Sequence, residues 1–79
     1  MTNLEKYNNI FMDVFQVEES ILKADFTKDN VDGWDSVKQL SLTSAMEDEF
    51  ELLLDPEDIL GFSSYEIGKS ILERNGIKF

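Results

Sequence analysis

Apolar residues recur at helical spacing in separate parts of the chain and lose that spacing in between. Leu4, Tyr7, Ile10 or Phe11, Val14 and Phe15 follow a three-to-four residue rhythm, which puts them on one side of a helix. Thr2 and Glu5 stand at the spacing of a capping box, in which each side chain satisfies a backbone N–H of the other. These signals predict a first helix over about residues 3–16. From Val17 to Trp34 the rhythm breaks up, and Ile21, Leu22 and Phe26 lie scattered among charges before an Asp32-Gly33 turn. So long a loop needs anchoring, and those three apolar residues are expected to pin it to the core.

From Ser36 to about Leu52 there is neither Gly nor Pro, and the chain predicts a second helix there. Leu54 to Gly61 reads as a very short third helix, with Asp55 as N-cap, Pro56 at the first helical position and Gly61 as its stop. Ser63 with Glu66 offers another capping box, and Phe62 with Ile67 a hydrophobic staple. They open a last helix that reaches about Arg74 and ends at Asn75-Gly76. Residues 1–79 therefore form one all-α domain, a small bundle of three main helices and one short one with a long first loop.

Length and charge narrow the function. A chain of 79 residues cannot hold a two-domain enzyme architecture and encloses little pocket. Asp and Glu number 17 against 7 Lys and Arg, for a net charge of −10. Nucleic acid and anionic membrane require clustered positive charge, so basic protein surfaces are the expected partners. The absence of cysteine excludes disulfides, thiolate metal sites and thiol nucleophiles, and the absence of histidine removes the usual general base. With a polar amino terminus and no long apolar run, the chain is expected to be a cytoplasmic monomer.

Advancing about 100° per residue along the second helix, Leu42, Met46, Phe50 and Leu53 form one stripe, the expected buried face. Val37 and Leu40 fall on the opposite side with Ser36, Ser44, Glu47, Asp48 and Glu51. A small apolar patch with an acidic rim is the layout of a docking surface. The competing reading has the first loop covering both aliphatics. Between Glu47 and Asp58 stand seven acids and no base, a run that begins on the same face as the serine. Ser36 could itself be the N-cap, with Gln39 completing a box, or Asp35 could cap and leave Ser36 at the first helical position.

The stretch Gly33-Trp34-Asp35-Ser36-Val37, the continuation Leu42 through Ala45-Met46-Glu47-Asp48-Glu49-Phe50, and the step Phe62-Ser63-Ser64 together resemble the acyl and peptidyl carrier protein family over nearly the whole chain. The resemblance implies that a separate phosphopantetheinyl transferase esterifies Ser36 with 4′-phosphopantetheine from coenzyme A, and that the arm's thiol carries cargo as a thioester. A helix N-terminus tolerates the added phosphate charge. Asp35 would assist the transferase near its metal ion, while Val37, Leu40, Glu47 and Asp48 would meet partner enzymes: a loading ligase and an acyltransferase or synthase with basic docking patches. Met46, Leu54, Ile59 and Phe62 would wall any space that shelters an acyl chain, and the bulk of Phe62 favours short, polar or aminoacyl cargo. Such a carrier is itself no enzyme and holds no metal.

Trp34 within the motif, Lys38 where an acid is usual, and Ser41 and Ser44 depart from fatty-acid carriers and point to a stand-alone carrier of a specialised pathway. Trp34 and Lys38 are where that pathway is expected to be encoded. The same departures admit an unmodified acidic interaction module of degenerate carrier fold. A calcium-binding EF-hand fails, because with Gly33 at the sixth loop position the first and twelfth would be Lys28 and Gln39.

Overall fold

The computed structural model describes all 79 residues as four helices and no strand. Helix α1 runs Asn3–Phe15, α2 Ser36–Phe50, α3 Pro56–Gly61 and α4 Tyr65–Arg74. A single 3₁₀ turn, Glu19–Ile21, interrupts the long connection between α1 and α2. The Thr2–Glu5 capping box forms in full, with Glu5 N donating to Thr2 Oγ1 over 3.1 Å and Thr2 N to Glu5 Oε1 over 2.9 Å. Hydrogen bonding by the Thr2 backbone N–H first, and by the Thr2 side chain second, holds the Glu5 carboxyl below its ordinary range.

The core is aromatic and centred on α1. Tyr7 and Phe11 are fully buried, with Phe26 and Trp34 from the long loop and Phe62 and Tyr65 from the far end of the chain closing around them. Ring centroids lie 5.4 Å apart for Phe11 and Tyr65, and 4.9 Å for Phe15 and Trp34, the spacing at which tilted and edge-on rings attract. Leu22 and Phe26 anchor the loop as expected, whereas Ile21 lies exposed on the 3₁₀ turn; Val17 and Val31 pack against the core.

Several expectations fail where backbone geometry departs from a simple projection. The second helix ends at Phe50, and Glu51 takes the left-handed conformation at φ 52°. The helical phase is lost there, so Leu53 is 86% exposed instead of continuing the stripe of Leu42 and Met46. The cap of the last helix is Ser64 and not Ser63: Ser64 Oγ accepts from Ile67 N over 2.9 Å, and the Ser63–Glu66 box is absent. The loop causes the shift. Thr27 and Ser64 form a β-bridge, Lys28 N donates to Ser63 O over 2.8 Å, and Tyr65 N to Phe26 O over 2.9 Å. This pairing holds Ser64 extended, at φ −160° and ψ 166°, so the helix begins one residue later than expected. Phe62 consequently packs on Gly68 instead of stapling to Ile67, which is exposed. At α3, Asp55 is the N-cap by position but its side chain makes no capping bond, and Gly61 is the last helical residue, not a stop beyond it.

Lys38 is half-buried. Its ammonium donates to Val14 O over 2.9 Å, at the end of a helix whose own last turn carries no base. A cation there satisfies a carbonyl that the helix leaves unpaired and complements the helix dipole.

Candidate functional site

Ser36 is the first residue of α2, and Asp35 is its N-cap: Asp35 Oδ1 accepts from Lys38 N over 2.9 Å. The adjacent acid and serine thus divide the local work. With the capping bond made by Asp35, the Ser36 side chain is exposed, and its hydroxyl is engaged by no protein group. Gly33 supplies the turn before it with φ 83°, a conformation that costs a side-chain-bearing residue energy. Trp34, only 5% exposed, anchors that turn in the aromatic core against Phe11, Phe15 and Phe26. Its indole Nε1 finds no hydrogen-bond partner, a cost of about 1–3 kcal/mol that the large buried ring offsets. Trp34 is buried and Lys38 half-buried with its ammonium on Val14 O, so both of the motif's most distinctive residues contribute to its geometry.

The surface around Ser36 is apolar and then acidic. Val37 is 71% and Leu40 57% exposed, so the first loop does not cover them. Leu60, at the end of α3, adds a third exposed aliphatic at 77%. A shallow groove of about 230 Å³ runs between the start of α2 and the end of α3, lined by Lys28, Ser36, Gln39, Leu40, Ile59 and Leu60. Gln39 builds this groove from within. It is buried, and its Nε2 donates to Ile59 O over 2.6 Å and to Leu60 O over 3.0 Å. Those carbonyls belong to the last turn of a six-residue helix, so one amide adds hydrogen bonds to its C-terminal end, where Ile59 O otherwise has only a long 3.4 Å bond from Phe62 N.

The expected acids separate into two kinds. Asp48 is exposed, but Glu47 is half-buried and its Oε2 accepts from Leu54 N over 2.8 Å, bracing the chain where it leaves α2. Asp58 is likewise engaged, by Arg74 at 3.0 Å and Asn75 at 3.3 Å. Of the residues expected to wall an acyl space, Met46 and Phe62 are fully buried and Leu54 nearly so, all closed into the common core; only Ile59 reaches the groove. No group of three or more acidic or metal-ligating side chains is placed to hold a metal ion, and no helix is long and apolar enough to cross a membrane.

Two residues of this site escape the sequence patterns. Leu60 sits in a helix too short for a periodic face to be read, and Gln39, read from the sequence as the second member of a possible capping box, gives no sign of its bonds to α3. No protein-family model, curated protein or solved structure matches this chain.

Proposed function

We propose that this chain is a stand-alone acyl or aminoacyl carrier protein that presents cargo on a phosphopantetheine arm attached to Ser36. The observation that carries the reading is the free hydroxyl of Ser36 at the first position of α2, exposed beside Val37, Leu40 and Leu60 because Asp35 has taken over capping. A serine kept only as a cap would have its oxygen on a backbone N–H, as Ser64 does.

Attachment requires a partner enzyme. Ser36 Oγ would attack the phosphorus of coenzyme A that bears the pantetheine, forming one P–O bond as the bond to the departing adenosine bisphosphate breaks; the hydroxyl proton goes to a base of the transferase. Asp35 keeps its second oxygen for that encounter, since only Oδ1 is committed to Lys38 N. Thioester chemistry is supplied by the arm once it is bound. The chain's own residues present it: Val37, Leu40 and Leu60 offer apolar contact, and Asp48 with the wider net charge of −10 steers basic surfaces toward it.

The test is an intact mass after incubating the unmodified protein with coenzyme A and a broad-specificity phosphopantetheinyl transferase. A phosphopantetheine-sized gain is expected for the wild type and none for Ser36→Ala. No gain with several transferases overturns the carrier reading and leaves the unmodified acidic interaction module in its place.

A further inference from the structure

The groove beside Ser36 combines two chemistries: Lys28 and Ser36 line it together with the aliphatic side chains of Leu40, Ile59 and Leu60. Lys28 is the only charged residue lining it. Three of the seven basic residues are occupied elsewhere, Lys38 on Val14 O, Lys69 on Glu66 and Arg74 on Asp58; Lys28, like Lys6, Lys23 and Lys78, makes no ion pair within the chain, and of these four it alone lines the groove at Ser36. Nor is its place incidental. The backbone of Lys28 is fixed by its own bond to Ser63 O and by the adjoining Thr27–Ser64 bridge, which stations a loop residue against the start of α2 and the end of α3. An unpaired base in a strongly acidic chain, held at a groove that opens on an exposed serine, is a counter-charge waiting for an anion.

We propose that Lys28 pairs with the phosphate carried on Ser36 and seats the first part of the arm in this groove. The inference rests on the carrier reading for its ligand. Such an arm carries a phosphate and, close to it, a dimethyl-substituted carbon, and the groove lining supplies both a cation and aliphatic side chains. Lys28 is a positioning residue: it touches no reacting bond of the thioester but restricts where the arm leaves the surface. Gln39 supports the same seat by fixing Ile59 and Leu60 through their carbonyls.

The experiment keeps the pairing separate from the carrier reading by installing phosphoserine at position 36 of the full chain, which needs no transferase. The second ionisation of phosphoserine, ordinarily near about 6, is read by ³¹P NMR with and without Lys28→Gln. Asp29, Asp32 and Asp35 lie close along the chain and oppose ionisation in both proteins, as the α2 N-terminus favours it in both, so these contributions cancel. The expected result is a value about 0.5 unit lower with Lys28 than with Gln at low salt. Lys28→Arg should restore the shift, and about 1 M salt, where the screening length is only about 3 Å, should erase most of it. Equal values for wild type and Lys28→Gln at low salt overturn the pairing. A lowered value in a chain that no transferase modifies would sustain the pairing while refuting the carrier reading.

Discussion

Gln39 gives the sharpest test of how the groove is built. Replacing it with alanine removes the donors to Ile59 O and Leu60 O. Each such bond contributes about 1 kcal/mol net, and Leu60 is exposed enough for water to take over part of the loss. Alanine is also slightly the better helix former, which offsets a few tenths of a kcal/mol. The expected destabilisation is about 1.5 kcal/mol, or roughly 6–12 °C in melting temperature for a domain of this size. The damage should be local. Amide exchange at Ile59 and Phe62, whose N–H groups bond Asp55 O and Ile59 O, should accelerate more than at the core of α1. Gln39→Glu then separates donor loss from mere truncation. A buried carboxylate facing two carbonyls has no donor to offer while ionised, so its folded pKa rises above the unfolded value of about 4.3. A raised folded pKa means the folded state holds the proton more tightly, so the glutamate penalty is largest near neutrality and is relieved as pH falls toward that unfolded value. Urea unfolding of the three proteins at pH 7 and near pH 4.5 decides the matter. A Gln39→Glu protein no less stable than Gln39→Ala at pH 7, or uniform exchange changes across the fold, would refute the assigned role.

Two further predictions concern the core that supports the site. At Gly68 an added Cβ would lie 2.5 Å from the Phe62 ring and closer still to the Tyr7 hydroxyl, and both side chains are fully buried. Overpacking of about 1–3 kcal/mol should outweigh the roughly 1 kcal/mol that alanine gains in helix propensity, so a chemical-denaturation curve should show Gly68→Ala as net destabilised. Burial, chiefly, raises the phenols of Tyr7 and Tyr65 above the usual tyrosine range, and Tyr7 Oη donates to Tyr65 O over 2.6 Å. Their folded values lie above the unfolded one near about 10, so the stability they contribute is intact below that pH and is lost as pH climbs through the folded values. Melting temperatures should fall above about pH 10, and less steeply in Tyr7→Phe.

What the sequence disclosed and what it hid follow one physical division. Helices announce themselves through periodic apolar positions and through caps that act within four residues, which is why α1, α2 and α3 begin where Thr2, Asp35 and Pro56 suggest. Contacts between distant segments leave no such periodic trace. The Thr27–Ser64 bridge moved a cap by one residue, and the left-handed Glu51 turned Leu53 outward. Long-range hydrogen bonds likewise changed the meaning of individual side chains: Lys38 and Glu47, both read from sequence as surface charge, serve Val14 O and Leu54 N. The serine was legible as a candidate because its neighbours form a recognisable pattern, but its availability depended on which residue made the capping bond. Once Asp35 makes that bond, the distinctive Trp34 and Lys38 become supports from behind, and the groups left at the surface around the serine are Ser36, Val37, Leu40, Leu60 and Lys28, which under the proposed function would meet the arm or a partner. Two of those five, Leu60 and Lys28, are brought to the site only by the closure of α3 and the first loop against α2. Substitutions at them should therefore alter arm presentation or partner affinity with little effect on folding, whereas substitutions at Trp34 or Lys38 should act first on stability.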